Sequence, residues 1–273
     1  MPLVAEAKVI KQEKIASGHY RLNLAATDIA EEARPGQFLH IRCGNTLDPL
    51  LRRPISIHAV DREKGEVVLF YRVAGKGTAL LSKSKRGDTL SLLGPLGHGF
   101  SIPENLAQVS VVAGGIGIAP LYFLLQEMAM RGLSADVFLG AATEKQLFFC
   151  QEVKNFGHKV IPATDDGSAG YHGTVTGLFK KFLSNNDTQS SSVRHSDNAR
   201  IYGCGPPAML KQLSEIIKTA GIRGELSLEE RMGCGVGACL SCACKIRSGE
   251  SGVQYLRACV EGPVFPVGKV VWE

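Results

Sequence analysis

The 273-residue chain has no block of basic residues. Lys and Arg exceed Asp and Glu by only 31 to 26, a formal charge of +5 spread along the sequence, so a nucleic-acid footprint is absent. No secretory signal is readable either, because Met1 to Tyr20 interleaves Lys8, Lys11, Glu13 and Lys14 with its apolar residues. There is no His-x-x-His pair, no Ser–His–Asp order and no clustered carboxylate pair, which leaves hydrolytic chemistry without support. The 31 glycines follow no collagen or linker period, and no internal repeat is present. One apolar run, Val109 to Met130, has the length of a membrane span. It is broken by Gly114, Gly115, Gly117, Pro120, Gln126 and Glu127, which would expose backbone and charge to lipid. A buried strand, a glycine turn and a helix account for it better.

What the chain does have is cysteine: eight in all, five of them between Cys234 and Cys259. Without a signal segment, this count points to metal or cluster ligation in a reducing, cytoplasmic setting rather than to disulfides. The remaining pattern divides the chain in three. Residues 1–101 read as six short strands (Lys8 to Ile15, His19 to Ala25, Gln37 to Cys43, Pro54 to Val60, Glu66 to Val73 and Thr89 to Leu93) with one helix over Thr78 to Ser84, a small antiparallel β-barrel. Residues 102–224 alternate strand and helix. Strands are expected over Val109 to Ala113, Asp136 to Gly140, Lys159 to Ala163 and Arg200 to Tyr202. Helices are expected over Ile118 to Arg131, Gln146 to Asn155, Val175 to Leu183 and Pro206 to Ala220. That is a parallel α/β domain. Ser184 to Asn198 lacks apolar periodicity and reads as a solvent loop. Residues 225–273 form a small cysteine-rich module.

Three sites stand out. Cys234, Cys239 and Cys242 have the spacing C-x4-C-x2-C, and Cys259 follows after sixteen intervening residues, the plant-type arrangement for a [2Fe–2S] cluster. Gly235 and Gly237 allow the loop to curl so that backbone N–H groups point at sulfur. Four cysteines also suit tetrahedral zinc, although zinc sites favour two C-x2-C pairs. Cys244 is a competing ligand that breaks the spacing, whereas Cys43 and Cys150 read as buried thiols. The second site lies in the barrel. Arg53-Pro54-Ile55-Ser56 opens a strand, Phe70-Tyr71-Arg72 closes the next, and Gly75-Lys76-Gly77-Thr78 leads into a helix. A glycine-led helix start and an arginine suit a diphosphate, and the strands suit a flat ring, so a flavin is expected. The third site pairs two glycine turns that open helices, Gly114-Gly115-Ile116-Gly117 and Gly203-Cys204-Gly205-Pro206. At the C-terminal ends of parallel strands they form a dinucleotide crevice. His98 and His172 lie in glycine-rich loops, where turn or surface roles are expected.

In this order, the barrel with R-P-I-S, then G-K-G-T, G-G-I-G-I-A-P and G-C-G-P, the chain resembles the ferredoxin-NADP reductase superfamily. Its C-x4-C-x2-C-x16-C, with Glu230-Arg231-Met232 before it and Glu261-Gly262-Pro263-Val264-Phe265 after it, resembles one branch of that superfamily, as do Thr164 to Ser168 and Gly173 to Thr176. The branch is the electron transfer subunits of NAD-dependent dihydroorotate dehydrogenases. The resemblance implies FAD on Arg53, Pro54, Ile55, Ser56, Phe70, Tyr71, Arg72, Gly77 and Thr78. It implies a [2Fe–2S] cluster on Cys234, Cys239, Cys242 and Cys259, and NAD at Gly114, Gly115, Gly117, Cys204, Gly205 and Pro206. It also implies an FMN-containing catalytic partner subunit, in a heterotetramer of two of each, that carries the catalytic base for dihydroorotate. Two departures are Ile55, where many members carry an aromatic residue, and Ala142, where an arginine is common. The same three sites would serve the flavin and iron–sulfur subunit of an NADH-dependent ferredoxin:NADP⁺ oxidoreductase or of a sulfhydrogenase. A regulatory protein that keeps its cofactors without turnover is the reading from outside the enzymes.

Overall fold

The computed structural model describes residues 3–44, 47–186, 198–249 and 252–272, and the chain divides into two compact units. The first comprises Met1–Gly99, Glu229–Cys244 and Tyr255–Pro263. Its strands are β1 (Leu3–Ala16), β2 (His19–Ala25), β3 (Phe38–Ile41), β4 (Arg53–Asp61), β5 (Glu66–Arg72) and β6 (Thr89–Leu96), with short helices α1 (Thr27–Glu32) and α2 (Lys76–Leu81). They close into a barrel in the order β1-β2-β5-β4-β3-β6, every pairing antiparallel. Period-two alternation sends Leu90 and Leu92 of β6 and Leu22 and Leu24 of β2 inward. Each such burial contributes roughly 1.5–3 kcal/mol. β1 is longer than its sequence pattern indicated because one half pairs with β6 and the other with β2. Register shifts at Val9/Lys11 and Lys14/Ala16 bend it between the two roles.

The second unit comprises Phe100–Leu228, Lys245–Gln254 and Val264–Glu273. Its elements are β7 (Gln108–Gly114), α3 (Ile118–Met130), β8 (Asp136–Ala141), α4 (Cys150–Asn155), β9 (Lys159–Thr164), β10 (Tyr171–His172), α5 (Val175–Asn186), β11 (Ala199–Cys204), α6 (Pro207–Ala220) and β12 (Arg223–Ser227). Two further strands, β13 (Ala243–Ser248) and β14 (Gly252–Arg257), pair with each other, and β15 (Val264–Pro266) completes the larger sheet. That sheet runs β10-β9-β8-β7-β11-β12-β15, parallel except for β15, which lies antiparallel to β12. The chain winds outward from β7 to β10, then returns to start again at β11. The switch point therefore falls between β7 and β11, whose register sets Ala113 opposite Cys204. Val109 to Met130 resolves into β7, a glycine turn and α3. Among the described residues no helix is long and apolar enough to cross a membrane.

The observed elements depart from sequence expectation in identifiable ways. The helix expected over Gln146 to Asn155 begins only at Cys150, because Phe149 adopts a left-handed conformation (φ 61°) at its start. Most of the Ser184 to Asn198 loop lies outside the described residues, and α5 continues through Asn186. The short elements α1, β10 and β12 to β15 had no periodicity long enough to declare them.

Candidate cofactor sites

In the barrel, the start of β4 and the loop into α2 come together. A side chain at Gly77 would stand 2.8 Å from Arg53 Nε, so the guanidinium lies directly over the glycine. Thr78 Oγ1 accepts from the N–H groups of Ala74 (2.9 Å) and Gly75 (3.2 Å) and shapes that loop from within. Pro54 and Ser56 occupy the half-buried face of β4, while Ile55 turns into the barrel. Phe70 and Tyr71 are buried in β5. Phe70 stacks on His19 and packs against His58, and Tyr71 Oη donates to Gln12 Oε1 at 3.2 Å. Arg72, the last residue of β5, is exposed. Burial raises the Glu229 carboxyl, and the nearby Arg72 charge opposes that rise.

The two glycine turns meet at the switch point of the α/β sheet. A Cβ on Gly117 would lie 2.3 Å from the carbonyl oxygen of Cys204, and one on Gly114 would lie 2.5 Å from Met209 Sδ and 3.0 Å from Pro206. Only glycine lets these turns approach so closely, and Gly115 has φ +54°. Gly114, Gly115, Gly117, Cys204, Gly205 and Pro206 thus form one crevice, with Cys204 fully buried at the end of β11. Beside it, the N–H groups of Asp165 and Asp166 donate to the carbonyls of Ala141 (3.0 Å) and Ala142 (3.2 Å). This places two carboxylate-bearing residues at the end of β8, next to the position that lacks the arginine. The Asp166 carboxylate accepts from the Ser168 hydroxyl and N–H, which hold its pKa down.

The cysteine loop belongs to the first unit. The N–H groups of Val236, Ala238 and Cys239 donate to Cys234 Sγ at 3.3–3.4 Å. Burial alone would push this thiol up, but the N–H groups of Val236 and Cys239, the Cys239 thiol and the N–H of Ala238 outweigh it and bring the pKa to about 6. This is a cradle for a sulfur anion. Cys259 is raised, first by burial and then by the thiol of Cys242 that bonds to it. Cys234 thus has Cys239 beside it, and Cys259 has both Cys242 and Cys234 nearby. Among the described residues no three metal-binding side chains converge on a single point. Cys244 does not join them: its buried thiol donates to the Cys242 carbonyl at 3.8 Å and is pushed up to about 12 by burial.

Side chains outside the sequence motifs hold this loop. Arg257 Nη1 donates to the Gly237 carbonyl at 2.8 Å while Nε and Nη2 engage Glu261. The Ala258 N–H donates to the Cys242 carbonyl at 2.9 Å, fixing the segment before Cys259. His98 closes the far side through Nδ1 to the Val260 carbonyl at 2.6 Å, a structural role. His172 packs under Gly167 in a turn. His40, fully buried in β3, lies against Gly235. No periodicity or spacing flags Arg257 or His40: Arg257 reaches back to the Gly237 carbonyl, and His40 comes to the loop from β3.

The family description "iron-sulfur cluster binding domain of dihydroorotate dehydrogenase B" matches residues 229–271, and "oxidoreductase NAD-binding domain" matches residues 111–215. The chain is 48% identical over its full length to the whole "dihydroorotate dehydrogenase B (NAD(+)), electron transfer subunit" of Desulforamulus reducens. It is 42% identical, over 96% of both chains, to the protein of the same name from Geobacillus thermodenitrificans. Among solved structures, an NADH-dependent reduced ferredoxin-NADP oxidoreductase superposes with a TM-score of 0.83 at 31% identity, covering 98% of this chain and 90% of that one. A ferredoxin NADP⁺ reductase from Neisseria gonorrhoeae with bound FAD and NADP shares the fold, with a TM-score of 0.66 at 19% identity over 80% of this chain and 92% of that one. Flavin, iron–sulfur and NAD chemistry meet in this oxidoreductase architecture, and the chain belongs to the family of electron transfer subunits of NAD(+)-dependent dihydroorotate dehydrogenase B.

Proposed function

We propose that the chain works in the cytoplasm beside an FMN-containing dihydroorotate dehydrogenase catalytic subunit, in a heterotetramer of two of each, and that its own residues only move electrons. Cys234, Cys239, Cys242 and Cys259 hold the [2Fe–2S] cluster. Arg53, Pro54, Ile55, Ser56, Phe70, Tyr71, Arg72, Gly77 and Thr78 hold FAD. Gly114, Gly115, Gly117, Cys204, Gly205 and Pro206 receive NAD. Residues 1–101, 102–224 and 225–273 serve as the flavin, nucleotide and cluster segments. Bound FAD supplies the chemistry that joins one-electron delivery to the two-electron reduction of NAD⁺.

The chain's own groups set up each step. The three N–H groups on Cys234 Sγ stabilise thiolate charge. Arg53 over Gly77 offers a charge partner for a diphosphate. The apposed glycine turns let nucleotide phosphates approach bare backbone. No base for dihydroorotate is assigned to this chain, because that proton is taken on the partner. The partner is expected to dock on Gly233 to Ser241, where Val236 and Leu240 are 50% and 64% exposed.

The observation that carries this reading is the cradle of three loop N–H groups aimed at the sulfur of the first cysteine in the C-x4-C-x2-C loop. Cys239→Ser should abolish the iron–sulfur absorbance and electron paramagnetic resonance (EPR) signal, yet leave NADH-driven reduction of an artificial dye. Orotate formation coupled to NAD⁺ at an undiminished rate in that variant would overturn the electron path. Co-purification with an FMN-containing subunit that oxidises dihydroorotate separates this reading from the ferredoxin:NADP⁺ oxidoreductase alternative.

A further inference from the structure

His40 is 1% exposed, and neither of its ring nitrogens has a hydrogen-bond partner. A neutral imidazole carries one donor and one acceptor, and burying both unmet is costly. Its surroundings are specific. In β3 its backbone lies opposite Pro54 of β4, and its carbonyl accepts from Arg52 Nη1 at 3.3 Å. Arg52 is itself anchored to the carbonyl and hydroxyl of Ser91 on β6. On the other side, a Cβ at Gly235 would come within 2.7 Å of His40 Nδ1. Burial lowers this imidazole's pKa to about 4, and the backbone groups of Arg52 and Cys234 oppose that fall, so both lie close to the ring without meeting it. One imidazole therefore stands between the residue preceding the Arg53 to Ser56 segment and the first cysteine of the loop.

We propose that His40 is a positioning residue for the cluster: its single N–H bonds to the Cys234 carbonyl once the four thiols are drawn onto iron, tying the loop to the barrel strand beside the flavin segment. The consequence is electronic as well as structural. The peptide groups after Cys234 aim three N–H groups at its sulfur, and hydrogen bonds to cluster sulfurs help to set the reduction potential. Fixing the Cys234 carbonyl fixes where those N–H groups point. Without the bond they splay from the sulfur, the reduced cluster loses stabilisation and its potential falls. This inference rests on Cys234, Cys239, Cys242 and Cys259 being the cluster ligands. Iron and acid-labile sulfide in the wild-type complex test that assignment separately.

The test compares His40→Leu with His40→Asn in the complex purified with its catalytic partner, using FAD content as the folding control. His40→Leu should lower the cluster midpoint potential, shift its EPR g-values and speed its loss to a chelator several-fold. His40→Asn, whose amide N–H falls near the Nδ1 position, should restore all three toward wild type. A His40→Leu complex with wild-type potential, g-values and chelator resistance would overturn the proposal. So would equal shifts, or equal cluster loss, in both variants, since side-chain volume alone would then account for them.

Discussion

Two buried histidines separate the two units. His158, in the α/β unit, is 4% exposed and fully satisfied: the Ala135 N–H donates to its Nδ1 at 3.2 Å, and its Nε2 bonds to the Leu125 carbonyl at 2.9 Å. His40, in the unit that carries the cysteine loop, is more deeply buried and has neither nitrogen satisfied. The crevice of the α/β unit is made of backbone turns whose apposition strand register sets. The cysteine loop is held from outside by single side chains such as Arg257. A site made by strand register should tolerate changes in surrounding side chains and fail when backbone is pushed. A site made by a loop should behave the other way round.

The largest effect expected from that contrast is at Gly117. An alanine methyl there would collide with the Cys204 carbonyl at 2.3 Å, and backbone cannot yield as a side-chain tip can. Gly117→Ala should cost about 3 kcal/mol of stability, at the upper end for overpacking, and raise KM for NADH in steady-state assays. The cluster EPR spectrum should be unchanged. An altered cluster spectrum with a normal KM would break the distinction between the two sites.

His158→Leu comes next. It strips the Ala135 N–H and the Leu125 carbonyl of a partner, and an unmet buried donor of this kind costs about 2 kcal/mol. The thermal midpoint should fall while the cluster potential, which His40→Leu is expected to lower, stays put. A change in cluster potential in this variant would show that the two histidines do not differ as their hydrogen bonding says.

How far the sequence made these sites legible follows from the same contrast. The barrel and the parallel sheet were readable because their core strands carry local apolar patterns. Cysteine spacing pointed to the cluster loop because its first three cysteines lie within nine residues. The glycine turns were visible as motifs, but only the register of β7 and β11 brings Gly117 against Cys204. Arg257, His40 and the competition posed by Cys244 could not be resolved from spacing. What decides them is which atoms meet across long sequence separations, as when Arg257 reaches back to the Gly237 carbonyl.

A pH series sharpens the histidine comparison. Burial lowers the His158 pKa below its ordinary 6.5, with the Leu125 carbonyl opposing in part. As pH falls through 6.5 the unfolded chain therefore takes up a proton that the folded chain refuses. Stability is lost progressively, and the loss levels off once the pH is below the folded value. The difference in unfolding free energy between wild type and His158→Gln should narrow over that interval, because the variant lacks the penalty. A difference that stays constant between pH 7 and 5 would mean that His158 titrates normally.

The smallest effect concerns the choice of coenzyme. Asp165 and Asp166 are tied by their backbones to Ala141 and Ala142 at the end of β8, which sets two carboxylates beside the crevice proposed for NAD, where they would repel a 2′-phosphate. Asp166 also holds its turn through Ser168, which makes Asp165→Asn the cleaner removal of charge. Relieving one repulsion across partly solvated space is worth about 1 kcal/mol, so kcat/KM for NADPH should rise about fivefold, with kcat/KM for NADH nearly unchanged. Because the change touches neither the glycine turns nor the cysteine loop, thermal midpoint and cluster potential should both stay at wild-type values. An equal gain for both coenzymes would place the charge effect on general binding and remove Asp165 from discrimination between them.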